Sequence, residues 1–438
     1  MTSNSFSFSR LRDDGLLDFG DGYRAKNMEL GGHGPIFLRA AYLQDTGFSL
    51  DNPDRFIAGD LSLFGNKVAK LRDVVITTKG NSTGRIGVIR AEQQGAVYSP
   101  HLSYWRALDD RKIDQSFLYY WSLSEEFRTQ LRALAHSTDM APYLSLRDQG
   151  FLRITLPAPK IQKTIAGILG TLDDRIELNR RMNETLEAMA RALFKDWFVD
   201  FGPTRAKQEG MEPYLAPELW SLFPERLDRQ GKPEGWQEKS LTAFFFIIGG
   251  GTPKTSVDDH WGGTIPWFSV TDTPSPGSVF VIETQKKITH KGLDASAARL
   301  VPEGTTIISA RGTVGNLAMA GQPMTFNQSC YGLQGIADIG DCFVFLAAQN
   351  MVGSLQSMAH GSVFSTITRQ TFDAVKLTMA SGGVLKAFDE VTQALFQRIK
   401  TNVVEARTLA QTRDLLLPKL MSGEIRIQDA EKTLEARL

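Results

Sequence analysis

The feature that most constrains this chain is that it is written twice. Val75-Ile76-Thr77-Thr78-Lys79-Gly80 and Ile307-Ile308-Ser309-Ala310-Arg311-Gly312 share one pattern: a β-branched strand, small residues, a basic residue and a glycine. Both continue into a turn with a further glycine, Gly84 and Gly315. Lys79 and Arg311 lie 232 residues apart. Downstream, Ala135-His136 matches Ala359-His360 at an offset of 224. Arg175-Ile176 with Asn179 matches Arg398-Ile399 with Asn402, and Thr185-Leu186 matches Thr408-Leu409, both at 223. Residues 151–156 loosely match 372–377, and Lys26, Gly34 and Ile36 loosely match Lys254, Gly263 and Ile265. A collinear series with a drifting offset is the mark of two diverged copies. Each copy runs through a strand-rich mixed region and then one long helix.

The helix of the first copy is legible from about Gln162 to Val199, a stretch without proline. Ile165, Ile168, Leu172, Ile176, Met182, Leu186, Met189, Leu193 and Trp197 form a narrow seam of the coiled-coil type, with Asn179 in its gap. Adding 223 gives Phe388, Val391, Leu395, Ile399, Asn402, Leu409, Leu416 and Leu420, with Glu405 and Thr412 in place of two apolar residues. Pro418 should end or kink this second helix. A helix of this length is on the order of 50 Å long. Two of them packed antiparallel would make a spacer with a domain at each end. Asn179 and Asn402 share one seam position, where a buried polar residue fixes register.

Composition bounds the function. The chain has 438 residues, 42% of them hydrophobic, with 26 Phe and 7 Trp, enough for two or three globular domains with sizeable cores. Two cysteines, Cys330 and Cys342, exclude a disulfide scaffold or a four-cysteine zinc site and read as buried thiols. No signal peptide and no membrane-length apolar run is present, so the expected location is the cytoplasm. Lys+Arg and Asp+Glu both number 49, which counts against a uniformly basic nucleic-acid binder but not against a segregated one.

Catalytic motifs are missing class by class. Gly249-Gly250-Gly251-Thr252-Pro253-Lys254-Thr255 has Pro253 where a phosphate-binding loop needs glycine. Asn52-Pro53-Asp54-Arg55 lacks the second proline and aromatic residue of amino-methyltransferases. Pro53-Asp54 with Asp110-Arg111-Lys112 fits a nuclease pattern only at a forced spacing, in a charged turn. No two of the six histidines have helical metal-ligand spacing, and there is no serine elbow. His136 and His360 are repeat-equivalent and read as structural.

Four segments carry a family resemblance. Leu169-Gly170-Thr171-Leu172-Asp173-Asp174-Arg175-Ile176-Glu177-Leu178-Asn179-Arg180-Arg181-Met182-Asn183-Glu184-Thr185-Leu186-Glu187 resembles the central helix of type I restriction–modification specificity subunits. Ala192-Leu193-Phe194-Lys195-Asp196-Trp197-Phe198-Val199-Asp200-Phe201 continues the likeness. The stretch 407–424 is similar to the distal helix, and Gly251-Thr252-Pro253-Lys254 with Ile265-Pro266-Trp267 to the start of a target recognition domain.

The resemblance implies an α+β chain: two mixed α/β recognition domains separated by two antiparallel helices with a pseudo-twofold repeat. The expected division is a first recognition domain over 1–158, a central helix over 159–200 and a linker over 201–234. A second recognition domain follows over 235–382, then a distal helix over 383–425 and a tail over 426–438. Each domain would read half of a split double-stranded DNA target. The helices would set the half-site spacing and dock two methyltransferase subunits, with Asn179, Leu186, Leu193, Asn402, Leu409 and Leu416 as spacer and docking residues. A motor–nuclease subunit would complete the complex. S-adenosylmethionine, ATP and Mg2+ would belong to those partners, and this chain would have no catalysis or metal of its own. Two rivals stay open on the residues alone: a self-contained DNA-modifying enzyme, and a two-headed protein-binding scaffold.

The expected DNA contacts follow the repeat. Lys79, Thr83 and Arg85 surround the first glycine turn, and Arg311 and Thr313 the second; glycine lets backbone approach phosphate, and arginine pairs with guanine. Lys26 and Lys254 sit on the early loop of each copy. Arg39, Tyr143, Thr271, Gln328 and Arg369 are placed near turns, and Trp267 reads as core. Residues 66–160 carry 14 Lys+Arg against 9 Asp+Glu, a net of +5, whereas 241–380 carry 8 against 9, a net of −1. The first domain therefore has an electrostatic footprint that the second lacks.

Overall fold

The structure, a computed structural model, describes residues 4–44, 47–135, 141–337, 339–360 and 366–437. Two compact units emerge: Met1–Arg175 with Leu409–Leu438, and Ile176–Thr408. His136 lies outside the described residues, as does the side chain of His360.

The first unit is built on a four-stranded antiparallel sheet. In spatial order its strands are Leu17–Asp21, Leu102–Ala107, Val74–Thr77 and Ile86–Val88. Val74, Val75, Ile76 and Thr77 are all buried, so this strand is covered on both faces. One cover is an aromatic layer. Trp105 meets Phe127 of the helix Glu125–Ala135 edge-on at 5.4 Å, and Phe8 at 5.1 Å. Gln149, fully buried, accepts from Trp105 Nε1 at 2.9 Å and donates to Ser103 Oγ at 2.9 Å, which satisfies the indole N–H of Trp105.

The second unit repeats the plan in detail. Its sheet order is Phe245–Gly249, Cys330–Gly335, Thr306–Ser309, Leu317–Ala320 and Phe280–Val281. The first four match the four strands of the other unit in order and sense. A parallel pair recurs beside each sheet, Phe37 with Val97 and Trp267 with Thr325. An antiparallel pair closes each copy: Asn4–Ser7 with Arg153–Leu156, and Gln237–Ser240 with Lys376–Met379. The helix Asp341–His360 takes the place of the two covering helices of the first unit. The loose match of 151–156 with 372–377 needs a correction of two residues. The closing strands and the capped helices before them, Leu146–Phe151 and Arg369–Ala374, both align at 223. Burial explains the slip: Phe372 is fully buried and replaces Gln149, whereas Phe151 is 58% exposed.

The two long helices are Pro159–Phe198 and Gly382–Ser422. Within the first unit Arg413 Nη1 donates to Asp173 Oδ1 at 2.7 Å, and Tyr120 Oη donates to Asp173 Oδ2 at 2.7 Å. Within the second, Asn402 Nδ2 donates to Asn183 Oδ1 at 2.8 Å, and Phe194 and Phe198 pack on Phe388. The numbers rise on one helix as they fall on the other, so the pair is antiparallel. The seam runs one residue away from the expected one in places. Met189 and Val391 are exposed, and their neighbours Ala190 and Thr392 are buried instead. Asn183 is likewise buried beside a half-buried Met182. Where helices approach closely, the small or hydrogen-bonded residue goes inside and the bulkier one flanks it. Pro418 does not end the helix, which continues to Ser422. The proline removes one ladder bond close to the helix end, and buried Leu416, Leu417 and Leu420 hold the last turns in place.

Residues 201–234 carry the short helices Gly202–Gln208 and Pro217–Trp220. Phe223 packs edge-on against Trp197 at 5.0 Å, so this segment contributes to the core of the second unit. A helix, Ile427–Glu435, occupies most of 426–438. Among the described residues no helix is long and apolar enough to cross a membrane.

Candidate nucleic-acid interface

The repeated turn is the same object twice, down to its hydrogen bonds. In the first unit it joins Val74–Thr77 to Ile86–Val88; in the second it joins Thr306–Ser309 to Leu317–Ala320. A hydroxyl closes the base of each arm. Thr77 Oγ1 accepts from Arg85 N at 3.0 Å and donates to Ser82 O. Ser309 Oγ accepts from Asn316 N at 2.8 Å and donates to Thr313 O. Gly84 N donates to Thr77 O at 2.8 Å, and Gly315 N to Ser309 O at 2.9 Å. Both of these glycines have left-handed φ, +92° and +93°. A Cβ on Gly84 would collide with Leu131, and one on Gly315 with Val352, both on the covering helices. Only glycine lets the arm lie this close to its support.

A second strand approaches each arm from the C-terminal side. Lys79 bridges Tyr143, and Leu144 N donates to Thr78 O at 2.9 Å. Arg311 bridges Thr366, and Ile367 N donates to Ala310 O at 3.0 Å. The first arm thus joins three of the expected contact residues. Lys79 and Tyr143 are exposed and adjacent, and Thr83 Oγ1 lies 2.7 Å from Gly80 O and 3.0 Å from Pro142 O. Thr83 stitches the tip together with its hydroxyl. Arg85 points inward: its guanidinium donates to Leu43 O at 2.9 Å and anchors the neighbouring hairpin. In the second arm Arg311 and Thr313 are both exposed. Neither Lys79 nor Arg311 forms an ion pair among the described residues, so both cations face solvent.

The remaining expected residues are dispersed. Lys26 is exposed at the start of a short turn, where its backbone N donates to Glu29 Oε2 at 2.6 Å. Arg39 is ion-paired with Asp54 and lies 5.3 Å from the Phe37 ring, which makes it a framework residue. Lys254 is exposed, and its carbonyl accepts from Trp261 Nε1 at 3.4 Å. Thr252 donates to Gln328, linking the 251–254 loop to the loop before Cys330–Gly335. Thr271 shares a hydrogen bond with Ser269 at 2.7 Å. Arg369 donates to Ile247 O at 2.8 Å and ties the closing helix to an edge strand. Trp267 is core: it is buried, and Nε1 donates to Gly251 O at 2.9 Å.

One surface cation escaped the sequence reading. Arg147 is exposed on the helix Leu146–Phe151, four residues beyond Tyr143 on the strand that meets the first arm. Aligned at 223, this helix is the counterpart of Arg369–Ala374, but Arg147 itself falls opposite Gln370, so the repeat carried no signal for it. One arginine and one aspartate of the first domain form an internal pair, which leaves its basic excess unchanged. Arg106 makes a buried bidentate pair with Asp73 at 2.6 and 2.7 Å, and Tyr98 Oη donates to the same carboxylate. The glycine-rich 249–255 loop has no room to cradle a phosphate. A Cβ on Gly250 would stand 2.0 Å from Asn327 O, and one on Gly251 2.2 Å from Ala298 N, so both glycines serve chain packing. No cluster of three His, Cys, Asp or Glu residues suited to a metal occurs among the described residues.

The fold and its arms define an internally duplicated protein with two domains of one plan, each presenting a glycine-bounded arm with an exposed cation. The type I restriction modification DNA specificity domain matches residues 51–188 and again 233–380. The chain therefore belongs to the type I restriction–modification specificity subunits, with two target recognition domains. It is 26% identical to the type I restriction enzyme HindI specificity subunit of Haemophilus influenzae, over 70% of this chain and 77% of that one. It is also 26% identical to the MjaIX specificity subunit of Methanocaldococcus jannaschii, over 72% and 70%. The crystal structure of the type I system S subunit from M. genitalium superposes with a TM-score of 0.55 at 15% identity, covering 96% of both chains, a likeness of fold.

Proposed function

We propose that each recognition domain binds one half of a bipartite duplex DNA target through its arm and the strand beside it. Lys79, Tyr143 and Arg147 would act in the first domain, and Arg311 and Thr313 in the second. The observation that carries this reading is the arm itself, conserved between the two copies in its hydroxyl lock, glycines and outward cation. Such a tip supplies one flexible charge and close-approaching backbone, which suits contacts that position and read a duplex.

The two long helices would act as the ruler between half-sites and as the dock for two methyltransferase subunits. A motor–nuclease subunit would join the same assembly. S-adenosylmethionine, ATP and Mg2+ would be used on those chains, and this chain would contribute selection without catalysis. Its buried free thiols, Cys330 and Cys342, suit a reducing cytoplasm. The weak charge of the second domain assigns much of the phosphate grip there to a partner.

Methylome sequencing of a host carrying this chain with its methyltransferase subunit tests the reading. The expected result is one bipartite motif with a fixed non-specific spacer. An uninterrupted motif, or no methylation pattern at all, would contradict it.

A further inference from the structure

In the first unit, hydrogen bonds fasten the recognition domain to the central helix at two points. Gln162, 1% exposed, accepts from Asp114 N at 2.9 Å and donates to Lys112 O at 3.1 Å and Pro157 O at 2.8 Å. Asp114 caps the domain helix Gln115–Ser122, accepting from Phe117 N at 2.8 Å. Further along that helix, buried Tyr120 donates through Oη to Asp173 Oδ2 at 2.7 Å. Asp173 is held in turn by Arg413 of the distal helix at 2.7 Å, and Arg413 also donates to Asp414 at 2.8 Å. Gln162 and Asp173 are separated by about three helical turns, so they lie on one face of the central helix, about 16 Å apart.

The second unit puts apolar residues at the same stations. Offset by 223, Gln162 becomes Leu385, Asp173 becomes Phe396 and Arg413 becomes Ala190, all buried. Phe345, on the helix that replaces Gln115–Ser122, meets Phe396 at 5.7 Å. The two solutions differ in what they specify. Apolar contact is non-directional and survives a small slide or tilt. A hydrogen bond weakens steeply with angle, and one to an ionised partner is roughly twice as strong as a neutral one. Asp173 and Arg413, only 18% and 25% exposed, make the second fastener one of that kind. Two bonded points on one helix face fix the direction of the domain helix as well as its place.

We infer that Gln162, Tyr120 and Asp173, with Arg413 holding Asp173, are positioning residues: they set the first recognition domain at one angle on the helix pair and so confine the complex to one half-site spacing. This rests on the DNA-reading function proposed above. A domain free to tilt on its helix shifts its reading surface along the duplex, where one base-pair step is about 3.4 Å. The fasteners act on spacing and leave base choice within each half-site to the arms.

The test uses the assembled complex and duplexes bearing its mapped target, with the spacer unchanged, shortened or lengthened by a single base pair. The wild-type complex should bind the unchanged spacer best. Tyr120→Phe removes one oxygen, keeps the ring and leaves the Asp173–Arg413 pair intact. Gln162→Leu places the second unit's residue at the other fastener. Each variant should lose part of the preference for the native spacer, and the double variant should lose roughly tenfold of it, since a bond to a charged group is cut. Discrimination against single-base changes within either half-site should stay as in the wild type, a separation that mere loosening of the fold would not produce. Full spacer preference in the double variant overturns the assignment, as does a parallel loss of base discrimination. Where the double variant fails to assemble, Tyr120→Phe alone decides by the same two readouts. A bipartite target mapped beforehand, with base discrimination measured in both half-sites, judges the domain-reading function separately from the spacing assignment.

Discussion

Three asparagines show how far single residues govern this chain. Asn402 donates to Asn183 through Nδ2, but Asn179 is 1% exposed and neither its Nδ2 nor its Oδ1 has a partner among the described residues. The repeat explains the orphan. Offset by 223, Asn402 is the copy of Asn179, and the copy of its partner Asn183 is Ala406, which has no polar side chain. One half of a symmetric pair of hydrogen bonds is therefore unmade among the described residues. Asn179→Leu should therefore stabilise the protein by about 1–3 kcal/mol, since a buried unsatisfied amide is removed. Ala406→Asn should also raise the melting temperature by restoring the missing partner, and Asn183→Ala should lower it. Thermal denaturation checks all three, and destabilisation by Asn179→Leu would show that the amide is satisfied. At the arms, Lys79→Ala and Arg311→Ala should each reduce the salt dependence of DNA binding by about one counterion. Unchanged slopes in titrations across salt would remove these cations from the interface.

At the scale of elements, the arms and helices were legible because periodicity and glycine spacing are local signals. The strand–cation–glycine pattern found both arms, and unbroken apolar rhythm found both long helices. The seam was legible only to within a residue. Met189 and Ala190 both satisfy a three–four rhythm, and hydrophobicity favours the methionine, yet close approach of the helices favours alanine. The role of Arg85 was not legible either. Its partner is a backbone carbonyl at Leu43, 42 residues away, which no spacing rule reveals. Nor could the sequence show that Gly250 and Gly251 are filled by neighbouring backbone. As a ruler, the helix pair makes its own prediction. One extra turn near Asn179, matched by one near Asn402, adds roughly 6 Å of helix. The non-specific spacer should lengthen by on the order of two base pairs, at 3.4 Å per step. Methylome sequencing reads the spacer directly, and an unchanged length would mean that the helices do not set it.

At the scale of the whole molecule, the formal net charge of zero averages unlike parts. A basic excess in residues 66–160 is balanced elsewhere, and the internal pair Arg106–Asp73, neutral in sum, leaves that excess to the other side chains. Neutrality therefore suits a subunit that selects sequence with a few placed side chains and leaves bulk phosphate attraction to its partners. The duplication then has one central meaning: two separable readers in one chain. Exchange of residues 1–158 for those of another family member, followed by methylome sequencing of the host, tests that meaning most directly. One half-site should change to the donor's specificity while the other half-site and the spacer stay as they were. A change in both half-sites, or in neither, would contradict the account.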